Sequence, residues 1–227
     1  MKNAIVLGLR DQRSIALGIG EALSYSGARV IYGYQPRHSV SALSALPRGT
    51  VSFPLEVTDE KSMDDFVKRV SESAGNIDYF VHSIAFAKKE HLRGSFFTVD
   101  LEGWNLAMRV SAYSFLDLVR KISPHLNKGA GILTLTYKGS AVPARGYHLM
   151  GACKAALEAC VRYLAYELPE FRINALSCPA ITTSSSIAVE DLENQIDPSI
   201  TIQDIGNSAV KILTYQYTGK IVRFEEL

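Results

Sequence analysis

Tyr147 and Lys154 bracket the segment Tyr-His-Leu-Met-Gly-Ala-Cys-Lys, and a separation of seven is close to two helical turns. Both side chains then leave one face of a helix, about 10 Å apart along its axis. A phenol, which normally ionises near pH ~10, donates to a substrate carbonyl more readily beside an ammonium, and lysine can also hold the ribose of a nicotinamide. One site would use both. Tyr137, ten residues earlier, ends an apolar run. It would overhang the same crevice, or else simply cap its strand as a packing aromatic.

A second group surrounds the first turn, Gly8-Leu-Arg-Asp-Gln-Arg-Ser14-Ile15-Ala-Leu-Gly18. A helix starting there would aim its amide groups and positive dipole end at a pyrophosphate. Strict G-x-G-x-x-G is absent, so an ordinary turn with Ser14 capping the helix is the competing reading. Gly18 inside the helix costs about 1 kcal/mol relative to alanine, which close approach of helix to sheet beneath a cofactor would justify. Gln35 stands where such folds usually present an acidic residue to the adenosine ribose. Arg37 would meet a 2′-phosphate or be a solvated cation, and Glu56-Val57 would touch adenine or merely open a loop.

The elements that must position these residues alternate along the chain. Apolar runs at 4–7, 30–34, 51–55, 79–84, 131–137, 172–177 and 220–224 read as strands. Between them lie amphipathic helical patterns: one ending near Gly27, one over 58–70 capped by Thr58, long ones over 106–122 and 147–168, and one over 201–213 with a Thr201–Asp204 capping box. Strands separated by helices join in parallel through right-handed crossovers, which predicts an α/β, Rossmann-like doubly wound sheet of seven parallel strands flanked by helices. Ligands bind beyond the carboxyl ends of such strands. Gly8, Gln35, Glu56, Ser83-Ile84, Tyr137 and Pro179 all fall there.

With 227 residues, 24 Lys+Arg against 23 Asp+Glu, and no Ser/Gly/Pro-rich linker, the chain reads as a single domain, 1–227. A charge of +1 offers no broad field for nucleic acid. No apolar stretch has the length of a membrane span or a signal peptide, so no membrane association is expected. Three sparse cysteines, with Cys153 and Cys160 too far apart on one helix to bridge, fit core packing in a reducing cytoplasm. No G-x-S-x-G, Walker, H-E-x-x-H or C-x-x-C sequence occurs, leaving hydrolase, NTPase and metal readings without support. His82, inside a strand, reads as a satisfied core residue.

Taken together, these residues resemble the short-chain dehydrogenase/reductase superfamily and, within it, bacterial enoyl-(acyl-carrier-protein) reductases. Gly8-x5-Ser14-Ile-Ala-x-Gly18-Ile, Val81-His-Ser-Ile-Ala-Phe-Ala87, Ser111-Ala-Tyr-Ser-Phe115, Leu133-Thr-Leu-Thr-Tyr137 and Tyr147-x-x-Met-Gly-x-x-Lys154-Ala-x-Leu-Glu-Ala159 carry the similarity. The most specific feature is the tyrosine pair, since ordinary members place a serine where Tyr137 stands.

The resemblance implies hydride delivery from NADH or NADPH, with NADH favoured, to the β-carbon of a trans-2-enoyl thioester in fatty acid biosynthesis. Tyr147 would stabilise the enolate, Lys154 would bind ribose, and Tyr137 would lie beside the acyl chain. Gly8, Ser14, Ile15, Gln35, Glu56, Val57, Ser83 and Ile84 match cofactor positions. Ile181, Thr182, Thr183, Ser184 and Ser185 match the segment over the nicotinamide, and Ala87 matches a substrate contact. A homotetramer, and a substrate carried on acyl carrier protein, are implied as well. Against this pattern, Ala85 replaces a glycine, Ser177-Cys-Pro179 shifts a turn, and the lid between Thr183 and Thr201 is short and carries Glu190, Asp191 and Glu193. Two alternatives therefore stand beside it: a short-chain reductase of a free carbonyl or enone, and a non-catalytic dinucleotide-binding homologue.

Overall fold

Ala4, Ile5, Val6 and Leu7 are consecutive and all buried, as in a strand covered on both faces. In the computed structural model, which describes residues 1–92, 95–184, 186–189 and 193–227, that strand is β1 (Lys2–Leu9), inside the sheet between β2 and β4. The other strands are β2 (Ala28–Tyr34), β3 (Val51–Pro54), β4 (Ile77–His82), β5 (Leu126–Tyr137), β6 (Arg172–Cys178) and β7 (Ile221–Arg223). All pair in parallel in the order β3-β2-β1-β4-β5-β6-β7. The expected seven-stranded Rossmann-like sheet is present. Its order reverses between β1 and β4, the switch point at whose carboxyl ends ligands bind in open sheets of this kind.

Side-chain alternation divides the core. Ile5, Leu7, Phe80 and Ile132 pack under α3 (Glu60–Ala74), α5 (Ser114–Ile122) and α6 (His148–Glu167) through Phe66, Phe115, Leu118, Leu157 and Val161. Ala4, Val6, Val81 and Leu133 pack under α1 (Ile15–Tyr25) and α7 (Ile202–Thr214) through Ile19, Leu23, Ile205 and Ile212. The remaining helices are a short α2 (Ser39–Ser44), which the sequence pattern did not show, and α4 (Leu101–Met108).

Four local expectations are corrected. The helix expected over 106–122 starts at Leu101, where the Asp100 carboxylate accepts from the Gly103 amide at 2.7 Å, and a π-turn at Arg109–Tyr113 separates α4 from α5. Asp59, rather than Thr58, caps α3, because the Thr58 hydroxyl is engaged by Glu56. Gly18 faces the Ile202 carbonyl of α7, not the sheet, and Gly206 of α7 faces the Gly18 carbonyl in return; it is Gly20 that meets the sheet, at Tyr32. Tyr147 immediately precedes α6 instead of lying within it. Gly27, by contrast, has the left-handed φ of 85° expected after α1.

The capping box of α7 forms as read. The Thr201 hydroxyl accepts from the Asp204 amide, and the Asp204 carboxylate accepts from the Thr201 amide at 2.8 Å. Thr201→Ala should lower unfolding stability by about 1 kcal/mol, read as a reduced urea midpoint with unchanged slope.

Candidate active site

The crevice is built first by backbone. Gly8 holds φ 95°, and a Cβ there would run into the Ser83 carbonyl, so only glycine lets β1 turn against the segment leaving β4. Ser14 occupies the cap position of α1, but its hydroxyl accepts from the amides of Arg10 (3.0 Å) and Asp11 (2.9 Å) and does not cap. The competing reading of Ser14 as the helix cap is thus not met: its hydroxyl braces the turn instead. The Leu17 amide is spent on the Ser14 carbonyl, which leaves the Ile15 and Ala16 amides at the start of α1 without a side-chain cap and with the helix dipole behind them. That donor set fits the pyrophosphate of a dinucleotide.

At the end of β2, the Gln35 amide donates to Glu56 Oε2 at 2.8 Å, while its carbonyl accepts from Arg37 Nε at 2.7 Å. The Arg37 guanidinium lies 5.1 Å from the centre of the Phe86 ring, spanning the crevice between the β2 and β4 ends. Burial opposes ionisation of Glu56, yet hydrogen bonds from Gln35 and Thr58 outweigh it and hold the carboxyl below its usual range. Gln35 is therefore shared among protein partners, and Val57 is buried in the core.

Beyond β4, the chain is clasped by the π-turn. The Ser111 hydroxyl accepts from the Phe86 amide at 2.9 Å and donates to the Phe86 carbonyl at 3.1 Å, which fixes the run from Ser83 through Ile84 to Ala87. Sequence reasoning placed Ser111 in a matching stretch but gave it no role. His82 is a satisfied core residue, as expected. Ser114 donates to the Val110 carbonyl, so His82 Nε2 must donate to Ser114 (2.9 Å), while Nδ1 lies 3.2 Å from the Thr134 hydroxyl. Burial, with the Lys154 charge adding to it, pulls its pKa down to about 3 and keeps it neutral.

Tyr137 and Tyr147 meet edge to face with ring centres 4.7 Å apart, one ending β5 and the other opening α6. Burial pushes the Tyr147 phenol well above the ordinary tyrosine range, with Tyr137, Cys178 and Cys153 adding to the effect. Lys154 is buried on the first turns of α6 and donates to the Leu135 carbonyl of β5 at 2.7 Å. Burial lowers its pKa to about 8, although Cys178, Cys153 and Glu158 pull the other way. The same two thiols thus act on both Tyr147 and Lys154. Cys178 was not foreseen as a neighbour; its place at the end of β6 was the available signal.

The lid closes the remaining side. Ser184 donates to the Asp11 carboxylate at 2.7 Å, Ser186 bonds Ile181 and Thr183, and the Tyr137 hydroxyl donates to Gln195 Oε1 at 2.9 Å. Val189 and Ile196 pack with Ala87, Trp104, Tyr137, Tyr147 and Met150 in one apolar cluster. Ile181 is buried and Thr182 exposed; Ser185, Glu190 and Asp191 lie outside the described residues. Among the described residues, no group of three or more His, Cys, Asp or Glu is placed to hold a metal ion.

Comparison with known proteins places this geometry in a family. Residues 8–212 match the family described as Enoyl-(Acyl carrier protein) reductase. The chain is 35% identical to the enoyl-(acyl-carrier-protein) reductase (NADH) FabI of Enterococcus faecalis over 97% of this chain and 93% of that protein. It is 32% identical to the corresponding Aquifex aeolicus enzyme over 99% and 90%. An Aquifex aeolicus crystal structure of that reductase superposes with TM-score 0.92 at 30% identity, covering 98% of this chain and 94% of the other. The Bacillus cereus enzyme, solved with NADP+ and an indole naphthyridinone, superposes with TM-score 0.91 at 30% identity and the same coverage.

Proposed function

The chain belongs to the enoyl-(acyl-carrier-protein) reductase family of the short-chain dehydrogenase/reductase superfamily, and from that membership we propose how its own residues do the work. The protein is an NAD(P)H-dependent oxidoreductase of fatty acid biosynthesis that saturates the trans-2 double bond of an enoyl thioester carried on acyl carrier protein. The observation that carries the residue assignment is the Tyr137–Tyr147 pair at 4.7 Å, at the carboxyl end of β5, with Lys154 two turns into the helix that Tyr147 precedes.

NADH, when bound, supplies the hydride. The Ile15 and Ala16 amides would hold its pyrophosphate beside Gly8, while Gln35, Glu56 and Val57 would border the adenosine. The ionised Glu56 beside Gln35 disfavours a 2′-phosphate, which favours NADH, whereas Arg37 partly offsets that repulsion. Ser83, Ile84 and Ile181 to Ser184 would flank a bound nicotinamide, and the Lys154 amine, now on the Leu135 carbonyl, would hold its ribose hydroxyls. As charge develops on the thioester oxygen, the Tyr147 hydroxyl donates to it, an interaction concentrated in the transition state. Tyr137 and Ala87 line the acyl chain, and Val189 and Ile196 keep water from it.

Turnover of crotonyl thioester with loss of nicotinamide absorbance tests the activity, and no turnover with either cofactor over several chain lengths would overturn it. The carbonyl and non-catalytic alternatives are not favoured by the family membership.

The Lys154 amine must be charged for these roles, and its lowered pKa means the charge is lost at a lower pH than for an ordinary lysine. The value of kcat/KM should therefore be level below about pH 8 and fall as pH rises above it. A profile that stays level well into the alkaline range would remove this role.

Exposed Tyr113 and Leu116 near and on α5, with Tyr163 and Tyr166 on α6, support a homotetramer assembled through these helices, which sedimentation would test. Three free cysteines, with no helix among the described residues long and apolar enough to cross a membrane, support a cytoplasmic enzyme.

A further inference from the structure

Lys138–Ser140 forms a single 3-10 turn directly after Tyr137, and Gly139 at its centre has an ordinary backbone conformation that alanine could adopt. Space is what forbids a side chain there. A Cβ on Gly139 would lie 2.6 Å from Tyr147 Cδ1 and 3.0 Å from Tyr137 Cδ1, against both rings at once. The opposite side of the turn is fixed too: a Cβ on Gly151, in the first turn of α6, would lie 2.6 Å from the Gly139 carbonyl oxygen. The turn is thus seated between a glycine of α6 and the two aromatic edges. Tyr137 is buried at the end of β5 and bonded to Gln195, so the half-buried Tyr147 is the ring that must give way.

We propose that Gly139 is a positioning residue for the reduction: its missing side chain, held against Gly151, sets the approach of the Tyr137 and Tyr147 rings and hence where the Tyr147 hydroxyl points. The inference rests on the enoyl reductase reading above. Relieving a 2.6 Å contact to van der Waals distance moves the Tyr147 ring by about 1 Å, enough to cost on the order of 100-fold in rate.

Gly139→Ala should accordingly lose about 100-fold in kcat with crotonyl thioester, while NADH affinity by fluorescence titration and the melting temperature stay near wild type. In a Tyr147→Phe background the same substitution should cost no further kcat, because the hydroxyl it misplaces is already gone. A crystal structure of Gly139→Ala should show the ring centres farther apart than 4.7 Å, a readout independent of turnover. Ser140→Ala, in the same turn, should leave kcat unchanged. If Gly139→Ala folds and binds NADH with wild-type kcat, or if its effect simply adds to that of Tyr147→Phe, the proposal is overturned. Should Gly139→Ala not fold, Gly151→Ala decides: pressing on the Gly139 carbonyl, it should lower kcat and be silent in the Tyr147→Phe background, and full activity would overturn the proposal. Wild-type protein without turnover would instead refute the assigned activity, leaving the ring separation in the crystal as the test of the steric claim.

Discussion

Tyr147→Phe should reduce kcat by about 10²- to 10³-fold while leaving NADH affinity and fold intact, because it removes one preorganised donor to the developing oxyanion and almost no volume. Tyr137→Phe should cost far less, since the Tyr137 hydroxyl is spent on Gln195 in the lid and its ring edge against Tyr147 survives the change. Steady-state kinetics on the two variants, with cofactor binding measured separately, distinguishes a donor from a wall. Equal losses in both would assign the hydrogen bond to the pair rather than to Tyr147.

Lys154→Met should weaken NADH binding by about 10- to 100-fold, the loss expected for charged hydrogen bonds to ribose. The same variant should melt no lower than wild type. Burial already disfavours the Lys154 ammonium strongly enough to bring its pKa to about 8, and methionine refills the space without that penalty. Affinity by calorimetry and melting by differential scanning measurement therefore move in different directions or independently. Unchanged affinity would return Lys154 to the single role it shows now, anchoring α6 to the Leu135 carbonyl.

The sheet was legible because its strands are covered on both faces, so each appears as an unbroken apolar run, and the helices between them force parallel order. Their ends were less so. β5 begins at Leu126, through polar and glycine residues that carry no strand pattern, and Asp59 took the cap from its neighbour Thr58 because only backbone geometry decides between adjacent candidates. In the site, the spacing of Tyr147 and Lys154 suggested one helical face; the structure sets the Tyr137 and Tyr147 rings together but places Tyr147 just before α6 and the Lys154 amine on the Leu135 carbonyl. What pattern could not reveal was how polar groups are spent. Ser14 sits where a cap belongs yet braces Arg10 and Asp11, and Gln35 is divided between Glu56 and Arg37. Ser111, Cys178 and Gln195 reach the site through tertiary contacts with residues distant in the chain, which no local periodicity encodes.

The π-turn at Arg109–Tyr113 makes this stretch sensitive to counting more than to chemistry. One surplus residue there sets the following helix out of phase with the preceding one by about 100°. That offset lets Ser111 reach Phe86 while, three positions later, Ser114 reaches His82 and Phe115 enters the core. A replacement at Ser111 or Ser114 would remove that residue's bonds alone, but deleting any one residue would rotate everything downstream and part both serines from their partners, so the segment behaves as a ruler whose length matters more than its composition.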